Sequence, residues 1–138
     1  MTAAAVRLEL PALPENVAVV RQAVGGVASA MGLVDPLLAD VKMAVSEACA
    51  NVVIHAYGEG AGPMEVEFQP GDAMLTVVVR DRGNGVRPRL DPEGTNLGLG
   101  LPLMAALCDE VEVRHGDGEP GTEVRMAFHL ARESAPGA

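Results

Sequence analysis

The sequence predicts an α+β fold, a two-layer sandwich in which a mixed, mainly antiparallel sheet of about five strands carries three helices on one face. Two observations lead to this prediction. Apolar residues recur at strand spacing and at helix spacing in the order strand, helix, helix, strand, strand, helix, strand, strand. Strands also follow one another in pairs, which is typical of antiparallel sheets and not of the regular strand–helix alternation of a doubly wound sheet.

The chain length suits one domain. A chain of 138 residues can bury a two-layer core but is short for two domains. We therefore expect a single domain over residues 1–131 and a frayed tail over residues 132–138.

The first strand and helix are bounded by proline and glycine. Residues 6–10 alternate as a short strand, and residues 15–31 have apolar side chains at helical spacing. Gly25 and Gly26 weaken this helix, and Gly32 is placed to end it.

The second helix has a clear start signal. Asp35 is a good N-cap, and Pro36 suits the first turn that follows it. We expect this helix to run to Tyr57 and to stop at Gly58.

The second half of the chain predicts a hairpin, a third helix and two further strands. Pro70-Gly71-Asp72 is the hairpin turn, and the strand after it is apolar enough to be central in the sheet. The expected strands are residues 64–69, 74–81, 109–115 and 123–130, and the helical pattern lies in residues 97–108.

Composition excludes several classes of function. The net charge of −9 repels nucleic acid, so we expect no nucleic-acid partner. Lys42 is the single lysine, so an anionic ligand must be held by backbone N–H groups, a helix N-terminus or a divalent cation.

Cys49 and Cys108 lack metal-ligand spacing and are expected in the core. No segment reads as a signal peptide or a membrane span, so a cytoplasmic location without a membrane partner is expected.

The second helix combines an apolar arc with a polar stripe. Glu47, Asn51 and His55 recur every four residues and therefore share one face. The arc that should face the core comprises Val41, Val45, Ala48, Val52 and Ala56. The polar side chains could be paired inside the fold or could bind a ligand with its metal. Alternatively, they could lie where the helix meets solvent.

Asp81-x-Gly83-x-Gly85 follows the central strand. Asp81 could accept a hydrogen bond from the exocyclic amine of a base, while Gly83 and Gly85 allow the backbone to close around the ring. The alternative is an aspartate that caps a turn at the end of a strand.

Gly98-Leu99-Gly100 leads into the third helix. Unpaired N–H groups at such a helix N-terminus are suited to a di- or triphosphate, although a flexible loop is the alternative. Gly121-Thr122 before the last strand would by itself indicate only a turn.

Taken in order, E-x-x-x-N-x-x-x-H-A-Y, D-x-G-x-G, G-x-N-L-G-L-G-L and G-T resemble the Bergerat-type (GHKL) ATPases. Within that superfamily the chain resembles the bacterial anti-sigma-factor serine/threonine kinases. The phrase AVSEACANVVIHAYG is especially similar to their helix motif. These kinases bind a sigma factor and phosphorylate an anti-anti-sigma protein, and the resemblance also suggests a homodimer.

The resemblance assigns roles to individual residues. It implies that Asn51 ligates Mg2+ on the phosphates of ATP and that Glu47 is the general base for the acceptor hydroxyl. Asp81 would hold the adenine amine with support from Thr122. The glycine-rich segments would shape the pocket through Gly83, Gly85, Gly98, Leu99 and Gly100.

Other roles stay open. His55, Arg87 and Arg89 could serve the site or be structural or surface residues. Two functional alternatives also remain, namely a non-catalytic nucleotide-gated binding module and a detached histidine-kinase-like catalytic domain. The second is disfavoured, because no predicted helical hairpin of this sequence carries a phosphoacceptor histidine.

Overall fold

The computed structural model describes residues 5–58, 60–83, 100–115 and 120–130. The order of helices and strands is the one that the sequence predicts, and the α+β fold class is confirmed. The division into a domain and a tail stays a prediction, because residues 132–138 lie outside the described ranges. The elements are β1 (Val6–Pro11), α1 (Pro14–Ala30), α2 (Leu37–His55), β2 (Pro63–Pro70), β3 (Met74–Asp81), α3 (Gly100–Leu107), β4 (Glu110–His115) and β5 (Thr122–His129).

The five strands form one antiparallel sheet in the order β1-β2-β3-β5-β4. The strand β3 lies in the middle, as its apolar sequence predicts. It ends at Asp81, whose partners across the ladders are Met64 on β2 and Thr122 on β5. The end of β3 therefore brings Asp81 and Thr122 side by side.

One face of the sheet is apolar and is covered by the helices. The helix α2 contacts β3 and β5, while α1 contacts β2 and α3 contacts β4. The prediction of three helices on one face is therefore confirmed. The strand side chains buried beneath them are Met64, Val66, Phe68, Leu75, Val77, Val79, Met126 and Phe128.

The helix α2 lies between α1 and α3 in the helical layer. All five residues of its predicted core-facing arc are at most 6% exposed. Cys49 and Cys108 are buried as expected, and burial raises the pKa of the Cys49 thiol to about 12, so this thiol is neutral. Within the described ranges, no helix has both the length and the apolar character needed to cross a membrane.

The predicted start of α2 is wrong. Its first helical residue is Leu37, and the N-cap position is occupied by Pro36, which has no side-chain acceptor. Asp35 lies one residue too early to cap the helix. The first N–H groups are bonded instead to backbone carbonyls, since Leu38 donates to Val34 and Asp40 to Pro36, both at 3.0 Å. The last helical residue is His55, two residues before the predicted end.

The other face of the sheet carries charged side chains that pair across the strands. Arg80 on β3 donates to Glu67 on β2 at 2.9 Å and to Glu123 on β5 at 3.0 Å. Arg7 on β1 also contacts Glu65 on β2 at 2.9 Å. Glu67 is only 8% exposed, so its carboxylate depends on these partners.

Candidate functional site

The polar stripe of α2 is half-buried and available to a ligand. Within the described part of the chain, the side chains of Glu47, Asn51 and His55 have no hydrogen-bond partner. Successive members of the stripe are about 6 Å apart along the helix axis. Half-buried amide and carboxylate groups normally find partners in the fold, in water or in a bound ligand. The structure therefore leaves their hydrogen-bonding capacity for something outside the described chain.

The C-terminal end of α2 touches the chain just after β3. A Cβ atom built on Gly83 would lie 1.9 Å from the backbone oxygen of Ala56 and 2.6 Å from its carbonyl carbon. No side chain fits in this contact, so Gly83 is required for a reason of packing. Ala56 directly follows His55, the last member of the polar stripe, so the turn after β3 touches the chain one residue beyond the stripe.

Asp81 lies on the helix-covered face of the sheet, two residues beyond the buried Val79 on the same strand. Its Oδ1 accepts the backbone N–H of Gly83 at 2.9 Å, and the backbone of Thr122 donates a second hydrogen bond to the carboxylate. The turn-capping interpretation of Asp81 is therefore confirmed. It does not exclude a ligand, since a carboxylate has about four acceptor sites and two remain.

The environment of Asp81 changes its acidity. Burial raises the pKa of this carboxyl above its ordinary value of 3.8, and the hydrogen bonds from Gly83 and Thr122 oppose the rise. The charge of His115 also lowers the pKa. A partly desolvated acceptor of this kind is well suited to an amine donor, because water competes with it poorly.

Thr122 extends the site across the sheet. Its Oγ1 lies 3.4 Å from Nδ1 of His115, its neighbour on β4. Gly121 has a φ of +128°, and a Cβ at this position would lie 2.4 Å from the backbone oxygen of Asp81. The Gly-Thr pair therefore allows β5 to begin in close contact with the end of β3.

Tyr57 is a structural residue of this region to which the sequence assigns no role. Its hydroxyl donates to the carbonyl of Pro63 and accepts the backbone N–H of Arg82 at 2.7 Å. The ring also fills the space in which a side chain at Gly62 would lie. Tyr57 thus ties the loop after α2 to the end of β3. The only sequence signal for this role is an aromatic residue in a chain that has three.

Part of the predicted site lies outside the described residues. This holds for Gly85, Gly98 and Leu99, and also for Arg87 and Arg89. Gly100 is described and lies in α3, directly after the residues that the structure leaves undescribed, so the helix start at the glycine-rich segment stays a prediction.

The described residues fit a magnesium ion held with water. They contain no cluster of three or more His, Cys, Asp or Glu side chains that could bind a metal. Magnesium usually keeps several water ligands and needs only one or two oxygen ligands from a protein when a substrate supplies phosphate oxygens. The amide oxygen of Asn51, which has no partner among the described residues, meets that requirement.

The sheet, the helical layer and the polar stripe correspond to a family of nucleotide-binding domains. The family model for the histidine kinase-like ATPase domain matches residues 10–128, so the chain belongs to this family. The predicted resemblance to the GHKL ATPases is thereby confirmed.

Individual relatives are serine kinases by name. The chain is 33% identical to the serine-protein kinase RsbW of Bacillus cereus over 141 residues, covering 93% of this chain and 86% of the relative. The RsbW proteins of Bacillus anthracis and Bacillus thuringiensis cover the same shares at 33% and 32% identity. The predicted resemblance to a serine kinase is confirmed by these relatives.

A solved structure is similar in fold. It contains the RsbU and RsbW domains of a Mycobacterium tuberculosis protein and superposes with a TM-score of 0.71 at 24% identity. The match covers 91% of this chain and 32% of that one. This likeness supports the fold alone.

Proposed function

We propose that this protein is a Mg-ATP-dependent serine/threonine kinase that also acts as an anti-sigma factor. In this role it binds a sigma factor and phosphorylates an anti-anti-sigma protein. The observation that carries the proposal is the pair Glu47 and Asn51, which lie one helical turn apart and have no hydrogen-bond partner among the described residues. Asp81, at the end of β3, supplies an acceptor suited to a nucleotide base. The similarity to serine-protein kinases over 93% of the chain supports the same function.

The nucleotide is held at two ends. Asp81 accepts a hydrogen bond from the exocyclic amine of adenine, with Thr122 beside it, and Gly83 gives the ring access to the turn. Asn51 would hold the Mg2+ ion through its amide oxygen. The ion supplies neutralisation of the phosphate charge, which is the main requirement of phosphoryl transfer.

Glu47 acts on the acceptor hydroxyl. It accepts the proton of the serine Oγ while that oxygen forms its bond to the γ-phosphorus. The bond from the γ-phosphorus to the bridging oxygen breaks, and ADP leaves with the electron pair. Most of the acceleration comes from positioning, so Glu47 has to lie where an incoming protein can reach it.

The glycine-rich segments complete the pocket in this proposal. Gly85, Gly98, Leu99 and Gly100 surround the nucleotide, and the N–H groups at the start of α3 face the phosphates. A homodimer and a cytoplasmic location, where sigma factors act, belong to the same proposal. Neither nucleic acid nor a membrane is a partner in it.

The test is phosphoryl transfer from labelled ATP to a purified anti-anti-sigma protein. We expect an acid-stable phosphoserine or phosphothreonine with the wild-type chain and loss of the product with Glu47→Ala. Binding of ATP should survive that substitution, which separates a lost base from a lost fold.

Two other outcomes would favour the alternatives. If no phosphate is transferred and wild type and Glu47→Ala behave alike, the chain is a nucleotide-gated binding module. An acid-labile product would indicate a histidine-kinase-like domain. A pull-down with and without ATP, followed by phosphosite mapping, identifies the partners in either case.

A further inference from the structure

The exposed residues of α2 are all apolar. Three of the 19 residues of this helix are exposed, and they are Ala39, Met43 and Ile54. The side chains of Met43 and Ile54 are large, and the residues are 51% and 65% exposed. A single exposed apolar residue is ordinary. The outward face of a helix that covers a sheet nevertheless normally carries charged and polar residues, and none of the exposed residues of α2 is polar.

Glu47 lies between these two exposed side chains. Met43, Glu47, Ala50 and Ile54 follow one another at steps of four, three and four residues, so they form one stripe along the helix. At a rise of 1.5 Å per residue, Met43 lies about 6 Å before Glu47 and Ile54 about 10.5 Å after it.

The chemistry of the proposed kinase limits where its protein substrate can lie. A general base must come within about 2.6–3.2 Å of the oxygen whose proton it accepts. A folded protein that presents a serine to Glu47 therefore has to lie over this part of α2. It then covers Met43 on one side of the carboxylate and Ile54 on the other.

We propose that Met43 and Ile54 form the docking surface for the phosphoacceptor protein and determine which serine is phosphorylated. The partner that fits carries an apolar side chain on each side of its serine, about 6 Å away in one direction and about 10.5 Å in the other. This inference rests on the proposed kinase function.

The negative charge of the chain limits which partner surfaces can bind. The chain has a net charge of −9, and the docking surface has the carboxylate of Glu47 at its centre. A serine flanked by acidic side chains would be repelled, so the fitting surface is neutral or basic next to its serine. A second copy of the acidic chain meets this condition less well than a basic partner does.

The test measures steady-state kinetics with Met43→Ala, Ile54→Ala and the double variant. The acceptor is the anti-anti-sigma protein that the wild-type chain phosphorylates in the assay above. Alanine is a good helix former, so α2 should stay intact. We expect the KM for the acceptor to rise about fivefold in each single variant and about 25-fold in the double variant. The kcat and the affinity for ATP should stay within twofold.

Val19→Ala is the matched control. Val19 is 47% exposed on α1 and is likewise apolar, but it lies on a different helix. The KM of this variant should equal that of wild type. An equal rise with Val19→Ala would overturn the assignment to α2.

A double-mutant cycle tests whether the acceptor protein contacts Met43 and Ile54 directly. An alanine substitution of an apolar acceptor residue beside the phosphorylated serine should raise the KM when the kinase is wild type. When the kinase already lacks the side chain that this residue contacts, either Met43 or Ile54, the same substitution should raise the KM no further. Additive effects at every pair would contradict direct contact.

The remaining outcomes separate the inference from the proposed function. Absence of transfer by the wild-type chain overturns both. Normal transfer with an unchanged KM in the double variant overturns only the docking surface. A weaker affinity for ATP would indicate that this surface contacts the nucleotide and not the acceptor protein. A changed mass in light scattering would indicate a second copy, and either result overturns the proposal.

Discussion

Replacing Gly83 by alanine should separate the end of β3 from the end of α2. The added Cβ would lie 1.9 Å from the oxygen of Ala56, whereas real Cβ contacts are essentially never shorter than 3.0 Å. The two backbone segments must therefore move apart by about 1.1 Å, the difference between these distances. Both neighbours are backbone, so no side-chain rotation relieves the clash.

The size of the effect follows from two contributions. Overpacking of this kind costs about 2–3 kcal/mol. A shift of 1 Å also breaks the hydrogen bond from Gly83 to Asp81, which is worth about 1 kcal/mol. We therefore expect Gly83→Ala to lower the free energy of unfolding by about 3–4 kcal/mol and the Tm by roughly 10–15 °C. Because the Asp81 carboxylate loses a donor that orients it, the affinity for ATP should fall at least about tenfold.

Gly26→Ala provides the control for this experiment. No atom lies within 4 Å of a Cβ at Gly26, which is an exposed position inside α1. Alanine should stabilise the helix there by about 0.5–1 kcal/mol. Calorimetry of both variants measures the two effects. A Gly83→Ala protein with the Tm and ATP affinity of wild type would refute the close contact between α2 and β3.

Three further predictions concern the ligand and the charged face of the sheet. Asn51→Ala should weaken Mg-ATP binding about tenfold or more in calorimetry but leave metal-free ATP binding nearly unchanged, and an equal loss in both would remove the metal-ligand role. Asp81→Asn should lower the affinity for ATP about tenfold and reduce its preference over GTP. Burial raises the pKa of Asp81, so wild-type binding should weaken as the pH falls through a value above the ordinary 3.8, and Asp81→Asn should lack this component. Arg80→Met should destabilise the fold by about 2 kcal/mol in urea unfolding at neutral pH, because it leaves the buried Glu67 without its main donor. The hydrogen bond from Arg80 lowers the pKa of Glu67, so this difference should be complete above the ordinary value of 4.5 and should vanish as the pH falls through the lower folded-state pKa.

The periodic parts of the molecule could be predicted from the sequence. The arc of α2 and the alternation of β3 depend only on local spacing, and a sheet covered on one face leaves few other arrangements. The stripe of Glu47 and Asn51 and the position of Asp81 at a strand end follow from the same spacing. The proposal that they form one site adds only the fold to these local patterns.

The contacts between distant segments could not be predicted. Gly83 fits the predicted motif. The reason why no side chain is tolerated there is the backbone of Ala56, which is 27 residues away in the chain. The two hydrogen bonds of the Tyr57 hydroxyl depend on how the loop after α2 returns to β2. The Asp35 cap failed for a local reason, because Pro36 occupies the N-cap position.

Single-turnover phosphoryl transfer shows whether Glu47 and Asn51 serve a serine kinase. The chain preloaded with labelled Mg-ATP is mixed with its anti-anti-sigma partner, and acid-stable phosphoprotein is measured over time. Glu47→Gln keeps the size of the side chain and removes its basic carboxylate. We expect this variant to bind ATP normally and to transfer phosphate at least about 100-fold more slowly than wild type. Equal rates for the two proteins would contradict this expectation.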